Sequence, residues 1–191
     1  MSSLPHPPFI TPETYLARER QATTKSEYLA GTAVAMSGAS RAHNLIVTNL
    51  VRELSTQLAE RPCEVYPSDM RVHIPAASAY TYPDVVVVCG EPEFIDEQFD
   101  TLRNPTLLVE MLSDSTEAYD RGKKFELYRR LPSLHLYLLV AQDEVFIERY
   151  VRQADNEWVL SDFVHLADSI PLEAIQVELS MAQVYRKVSF E

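Results

Sequence analysis

No hydrophobic run in this sequence is long enough to cross a membrane as a helix. Such a helix needs about 20 consecutive apolar residues, and every apolar stretch here is shorter. The first residues, Met-Ser-Ser-Leu-Pro-His-Pro-Pro, also lack the basic start and the apolar stretch of a secretory signal. The sequence therefore predicts a cytoplasmic protein without a membrane partner.

Positive charge is scarce as well. Lys and Arg number 17 against 28 Asp and Glu, which gives a formal net charge of −11. This balance argues against a protein that coats nucleic acid through bulk electrostatics. It does not exclude an enzyme that acts on nucleic acid, because carboxylates that await divalent cations add to the negative count.

Cysteine is rare: the chain has Cys63 and Cys89, and they form no Cys-x-x-Cys motif. Both fall near or inside apolar runs. Buried free thiols in a reducing cytosol are therefore favoured over a disulfide or a metal site.

The pattern of apolar residues predicts an α/β fold in one domain. No repeat, low-complexity segment or linker divides the 191 residues, and 46% of them are hydrophobic, which is enough for a sizeable core. Residues 1–10 are predicted to form an irregular arm, residues from about 12 to 152 the core, and residues 153–191 an extension packed on it.

Capping residues and apolar spacing mark the predicted elements. Ser40 is the predicted cap of the longest helix, and Asp114 with Glu117 resembles a capping box that opens a later one. Helices are predicted at about 11–20, 41–60, 115–130 and 179–187; strands at 27–36 around a turn, 63–66, 70–74, 83–89, 106–112, 134–141, 145–152, 158–160 and 163–166; and a loop at 75–82.

Two carboxylates stand out because they lie in apolar, strand-like runs. Asp84 begins the run at 83–89, and Glu110 lies inside the run at 106–112. If these strands pair antiparallel, the two carboxylates lie side by side, and each raises the pKa of the other unless a cation lies between them. Such hard oxygen ligands suit Mg²⁺ or Mn²⁺.

A lysine on the next helix completes a hydrolytic set. The Lys124 ammonium can orient an attacking water or stabilise the transition state of phosphate chemistry. Simpler interpretations exist on spacing alone: Asp84 is a turn or cap residue, and Asp120 with Lys124, four residues apart, is a surface ion pair. Glu110 is harder to explain in that way, because apolar residues flank it on both sides.

Several segments, in consistent order over roughly residues 12–152, resemble the Uma family of restriction-endonuclease-like proteins. No single motif is diagnostic, but the ordered combination is specific. The motifs are Glu27-Tyr28-Leu29-Ala30-Gly31, Met36-Ser37-Gly38-Ala39-Ser40, His43-Asn44, Ser68-Asp69-Met70-Arg71, Tyr82-Pro83-Asp84, Val109-Glu110-Met111-Leu112-Ser113, Asp120 with Lys124 and Tyr128, and Leu136-Tyr137-Leu138-Leu139-Val140.

That family is similar to the PD-(D/E)XK nucleases, and the resemblance implies a restriction-endonuclease-like core, a mixed central β-sheet flanked by α-helices. It implies Asp84 and Glu110 as catalytic metal ligands for Mg²⁺ or Mn²⁺. The wider superfamily places its lysine two residues after the glutamate, where this chain has Leu112. The Uma pattern places the lysine on the following helix, which makes Lys124 the catalytic lysine.

The early turn departs from the family pattern. Family members usually show Asp-Gly-Glu there, and this chain has Ala30-Gly31-Thr32. Glu27, just before the turn, is retained. It is predicted as an extra or water-mediated metal ligand.

Three further residues are candidates for binding substrate. His43 either contacts phosphate or a metal-bound water, or is a partly exposed residue at a helix start. Arg71 pairs with a phosphate or with Asp69. Arg121 belongs to the densest basic patch, with Lys123, Arg129 and Arg130, which either docks a nucleic-acid backbone or is a solvated helix face.

The leading hypothesis is a metal-dependent endonuclease that hydrolyses phosphodiester bonds in DNA, acting as a homodimer because one active site cuts one strand at a time. The alternative is a non-catalytic module that keeps the nuclease fold to bind nucleic acid or protein. The absent strand lysine, the altered turn and the charge of −11 favour this alternative. Hydrolysis of a small phosphorylated metabolite is a third hypothesis, and it predicts a closed pocket.

Overall fold

The structure, a computed structural model, describes residues 9–36, 38–113 and 116–190. The predicted arm at 1–10 therefore lies outside the described residues except for its last two positions. Ser37 and Asp114, the latter from the predicted capping box, also lie outside them.

The helices and strands follow the apolar pattern along most of the chain. Among the residues described, no helix is long and apolar enough to cross a membrane. The helices are α1 (Pro12–Glu19), α2 (Arg41–Leu58), α3 (Glu117–Tyr119), α4 (Phe125–Tyr128) and α5 (Met181–Val184), with a π-helical turn at Asp120–Lys124 and 3-10 turns at Pro75–Ala77 and Glu173–Ile175. The strands are β1 (Ser26–Leu29), β2 (Thr32–Ala35), β3 (Cys63–Pro67), β4 (Arg71–Ile74), β5 (Ala79–Thr81), β6 (Val85–Cys89), β7 (Thr101–Leu102), β8 (Leu107–Leu112), β9 (Leu136–Ala141), β10 (Ile147–Arg152), β11 (Trp158–Phe163), β12 (Ser169–Leu172) and β13 (Val177–Ser180).

The central sheet has the strand order β11-β10-β9-β8-β6-β3. Strands β8 and β9 are parallel, and the other neighbours are antiparallel. Helices pack on both faces of this mixed sheet. The predicted fold class is therefore confirmed.

Side chains on the central strands alternate between two buried clusters. On β6, Val85 and Val87 pack with α2 and α5 on one face, whereas Val86 and Val88 pack with α4 on the other. Strands β8 and β9 alternate in the same way. Because both faces are covered, these strands are continuous apolar runs, and any polar side chain among them lies inside the core.

A second sheet, with the order β2-β1-β5-β4-β7, shares the cluster on the α4 face. Its Tyr28 and Tyr80 pack against Tyr15 of α1, with ring centroids 5.0 and 5.5 Å from that of Tyr15. The chain leaves this sheet after β5 and enters the central sheet at β6. Asp84 therefore follows directly on the crossing from one sheet to the other.

The largest differences from the predicted elements fall after residue 152. The two strands predicted at 158–160 and 163–166 are one strand, β11, and the terminal helix is reduced to α5. The β12–β13 hairpin was not predicted, because Pro171 lies inside β12 and proline argues against a strand. Its buried residues nevertheless join the same cluster as β6, β8 and β9. In the predicted loop at 75–82, residues 79–81 form β5.

The prediction of two free cysteines is wrong. Cys63 of β3 and Cys89 of β6 face each other in the antiparallel register and form a disulfide. Their separation of 26 residues in the sequence gave no sign of this pairing, which depends on strand register. Disulfides persist mainly in oxidising surroundings, so the cysteines no longer favour the predicted cytoplasmic location. That location stays a prediction.

Reducing the disulfide is expected to lower the free energy of unfolding by about 3 kcal/mol, because the bond restricts the unfolded chain across this long loop. Chemical denaturation with and without reductant measures the effect. The Cys63→Ser, Cys89→Ser double variant is the control, and its stability should not respond to reductant. Equal stability of the oxidised and reduced wild-type protein would contradict the expectation.

Candidate active site

The paired carboxylates lie at adjacent ends of β6 and β8. In the antiparallel register Val85 faces Val109, so Asp84 and Glu110 occupy the next positions along the two strands. The Met111 backbone N–H donates a hydrogen bond of 2.7 Å to Oδ2 of Asp84. The strand pairing that the sequence predicted thus brings the two carboxylates together.

Glu110 is a buried acid on the α4 face of the central sheet. Its neighbours on that face, Leu108 and Leu112, are apolar, and only 3% of the residue is exposed. The Tyr128 hydroxyl donates a hydrogen bond of 2.6 Å to Glu110 Oε1 and lies 3.1 Å from Oγ1 of Thr81. Burial raises the pKa of the Glu110 carboxyl well above its ordinary value, although the Lys124 charge opposes the rise.

Lys124 is the cation of the site. Its Nζ lies 3.0 Å from Glu110 Oε1, 3.1 Å from Glu27 Oε1 and 3.5 Å from Asp120 Oδ1. Burial alone would lower the pKa of the ammonium, but the three carboxylates outweigh burial and raise it. Lys124 therefore lies in a nearly closed environment that favours its charged form, with 8% of its side chain exposed.

The helical stretch that carries Lys124 is irregular at this point. It is π-helical from Asp120 to Lys124, between α3 and α4. Such single π turns occur frequently at functional sites because they change the direction of side chains. Here the turn lies over the strand ends, and both of its terminal side chains are directed into the site.

Glu27 comes to the site from β1 of the second sheet. Its Oε1 accepts a hydrogen bond of 3.2 Å from the Tyr82 backbone N–H and also contacts Lys124. The side chain is 15% exposed. Glu27 thus connects the two sheets through the lysine.

Asp120 is a member of the site that the sequence analysis did not assign. It is 2% exposed, and burial raises the pKa of its carboxyl while the Lys124 charge opposes the rise. The spacing of four residues from Lys124 was the available signal, but the same spacing is common on solvated helix surfaces. Burial of both side chains excludes the surface ion pair.

His43 lies on the more open side of the site, in the first turn of α2. Ser40 caps this helix by accepting a hydrogen bond of 3.0 Å from the His43 backbone N–H, as predicted. His43 Nε2 lies 3.1 Å from Oδ1 of Asp84, and 19% of the side chain is exposed. Asp84 is therefore fixed through both oxygens.

Arg71 and Arg121, the other two predicted substrate-binding residues, are not brought to the carboxylates. Arg71 is buried, with Nη2 3.2 Å from Asp100 and Nε donating to the Tyr82 hydroxyl. Asp69, the partner proposed from the sequence, pairs with Lys25 instead.

Arg121 contacts Glu117 and Glu148, and its basic neighbours Lys123 and Arg130 pair with Glu126. Every one of these three cations therefore has an acidic partner. This arrangement is typical of a solvated helix face.

The donor set fits a hard divalent cation in chemistry. Asp84 and Glu110 are carboxylates on adjacent strands, and carboxylate oxygens are preferred by Mg²⁺ and Mn²⁺. Within residues 9–36, 38–113 and 116–190, no three His, Cys, Asp or Glu side chains are arranged as a ready metal site. At Glu110, Oε1 contacts Lys124 and Tyr128.

The architecture is that of an α/β protein: a mixed sheet with helices on both faces and a cluster of buried acids near the paired ends of β6 and β8. A solved structure described as a "putative nuclease" from Anabaena variabilis superposes with a TM-score of 0.76 at 17% sequence identity, covering 92% of this chain and 97% of that one. At this identity the likeness shows the fold.

Residues 12–184 match the family Uma2, described as "Putative restriction endonuclease", and the chain belongs to that family. Two proteins of Synechocystis are similar along the chain. Uncharacterized protein sll1609 is 39% identical over 155 residues, covering 81% of this chain and 88% of the relative. Uncharacterized protein slr1290 is 37% identical over 183 residues, covering 96% and 95%.

Replacing Tyr128 by Phe is expected to lower the free energy of unfolding by about 1–3 kcal/mol, because it removes a hydrogen-bond donor from a buried, charged acceptor, Glu110. Tyr150→Phe is the matched control. That hydroxyl is partly exposed and 3.4 Å from Glu148, so a change within about 0.5 kcal/mol is expected. Equal effects of the two substitutions in urea denaturation would contradict the role given to Tyr128.

Proposed function

We propose that this protein is a metal-dependent endonuclease that hydrolyses phosphodiester bonds in DNA. The observation that supports it most is that Asp84 lies beside Glu110 across two paired strands and that Glu110 contacts Lys124, all three residues being buried. The family description and the nuclease-like fold favour the same activity. Location in the cytoplasm is part of the hypothesis and rests on the sequence alone.

Asp84 and Glu110 are the residues that would hold Mg²⁺ or Mn²⁺, which, when bound, supplies Lewis acidity and a water of lowered pKa. Asp84 is prepared for this role because Met111 and His43 fix its two oxygens. A ligand held in one orientation loses little freedom on binding.

Lys124 acts as a charged donor and not as a base. The carboxylates around the ammonium raise its pKa, which favours its protonated form. Lys124 instead stabilises negative charge that grows on the phosphoryl oxygens, in a site from which most water is excluded.

DNA is expected to approach from the side of His43 and Glu27, which keep more exposure than Lys124. The patch around Arg121 is a weaker candidate for phosphate contacts, because glutamates already pair with Arg121, Lys123 and Arg130. Among the three residues predicted from the sequence to bind substrate, His43 is therefore favoured.

Asp84→Asn and Lys124→Ala are expected to reduce Mg²⁺- or Mn²⁺-dependent cleavage of DNA by at least about 100-fold, because each removes a charge that the transition state requires. Nicking of supercoiled plasmid measures the rate, and circular dichroism checks the fold. Lys123→Ala removes an exposed lysine paired with Glu126 and is the matched control.

Undiminished cleavage by a folded Asp84→Asn variant would refute the assignment. Metal-independent binding of DNA without cleavage by the wild-type protein would favour the non-catalytic module. Glu110 already has Lys124 as its counter-ion, and this observation favours the second candidate.

We infer a homodimer formed through β11, the edge strand of the central sheet. Edge strands are usually protected by proline or charged residues. The opposite edge, β3, ends in Pro67 and carries Glu64, whereas β11 has no proline and exposes roughly half of Val159 and Leu160.

A second copy of β11 suits this edge. Antiparallel pairing about a two-fold axis at Leu160 sets Leu160 against its own copy, Val159 against Ser161 and Trp158 against Asp162, so no like charges face each other. The pairing would supply the second active site that cleavage of both DNA strands requires.

Leu160→Lys is expected to shift the protein to monomer in sedimentation equilibrium, because it places like charges across the two-fold axis. Val34→Lys is the matched control, since Val34 is exposed on β2, an edge of the second sheet. A monomeric wild-type protein at micromolar concentration would contradict this assembly.

A further inference from the structure

The Lys124 ammonium contacts Glu110, one of the two carboxylates that would hold a divalent cation. Nζ lies 3.0 Å from Oε1 of Glu110, and the two atoms are enclosed. We propose that Lys124 is a resident counter-ion that a divalent cation displaces from Glu110, and that Glu27 is the residue that retains the displaced ammonium. The inference deepens the proposed function, since it takes Asp84 and Glu110 as the cation ligands.

Two cations on Glu110 disfavour each other. An ammonium and a divalent ion on one carboxylate repel, and the repulsion is strong where water is excluded. The Tyr128 hydroxyl is a second contact of the oxygen that Lys124 uses. Binding of the divalent ion therefore favours withdrawal of the ammonium.

Two other carboxylates are already within reach of the withdrawing ammonium. Glu27 lies 3.1 Å and Asp120 3.5 Å from Nζ, so a small movement leaves it paired. Escape into solvent is not needed, and 8% exposure of the side chain does not favour it.

Glu27 is the better placed of the two acceptors. Its Oε1 is held by the Tyr82 backbone N–H and is the nearer of the two to Nζ, and Glu27 belongs to a strand of the second sheet, not to the turn that carries Asp120 and Lys124. This assignment differs from the prediction that Glu27 is itself a metal ligand. Glu27 is a positioning residue that acts on the metal through Lys124.

The test is Mn²⁺ binding measured by titration calorimetry, with no DNA present. Lys124→Met is expected to bind Mn²⁺ about tenfold more tightly than the wild type, because the competing cation is gone. Glu27→Gln is expected to bind Mn²⁺ more weakly, since the ammonium then has one acceptor fewer and stays on Glu110. Glu27→Asp, which keeps the charge, should lie closer to the wild type.

The double variant Glu27→Gln, Lys124→Met separates the two roles of Glu27. Without the ammonium, Glu27→Gln should change Mn²⁺ affinity little. If Glu27 were itself a metal ligand, Glu27→Gln would weaken Mn²⁺ binding equally in the presence and absence of Lys124. That result would overturn the assignment. The double variant also removes one charge of each sign, so if Lys124→Met alone fails to fold, its comparison with Glu27→Gln still measures the effect of the lysine.

Lys123→Met is the matched control, because it removes an exposed lysine one position away. Its Mn²⁺ affinity should equal that of the wild type. An equal gain in Mn²⁺ affinity in both lysine variants would mean that the change in net charge alone causes the effect. Weaker or unchanged binding by Lys124→Met would overturn the displacement. The outcome is independent of cleavage, so a protein that binds Mn²⁺ as expected but leaves DNA intact would refute the proposed function alone.

Discussion

The contact of one buried ammonium with three carboxylates, two of them buried, is the interaction on which this site depends. Glu110, Asp120 and Lys124 are each less than 10% exposed, and an isolated charge in such surroundings is unfavourable by several kcal/mol. The pKa directions show the competition between burial and charge: burial raises the pKa of both carboxyl groups, which favours their neutral forms, whereas the carboxylates raise that of the lysine, which favours its charged form. Removal of the lysine leaves three acids without a counter-charge, so these residues act as a unit.

The same contact joins parts of the chain that are far apart in sequence. Glu27 belongs to the second sheet, Glu110 to the central sheet and Lys124 to the helical stretch between β8 and β9. The crossing from β5 to β6 passes between them and delivers Asp84, which α2 contacts through His43. The geometry of the site therefore depends on how the two sheets pack against each other.

The sequence was informative where a local rule determines the structure. Alternating apolar runs predicted β6, β8 and the β9–β10 hairpin, and antiparallel pairing of β6 with β8 placed Asp84 beside Glu110. Features that depend on register or tertiary packing were not accessible. Burial of Asp120 requires knowing which helix face meets the sheet, the disulfide requires the register of β3 against β6, and the β12–β13 hairpin contains a proline that disfavours a strand.

Tyr128 shows how closely the site and the core are joined. Its ring packs in the same cluster as Leu108, Leu112 and Tyr137, while its hydroxyl holds Glu110. Apolar residues at these acidic positions would pack at lower energetic cost, as replacements of buried ion pairs in other proteins have shown. Selection for stability alone would thus replace the acids by apolar residues. Their presence inside an otherwise apolar core indicates a position where stability is lowered in favour of reactivity.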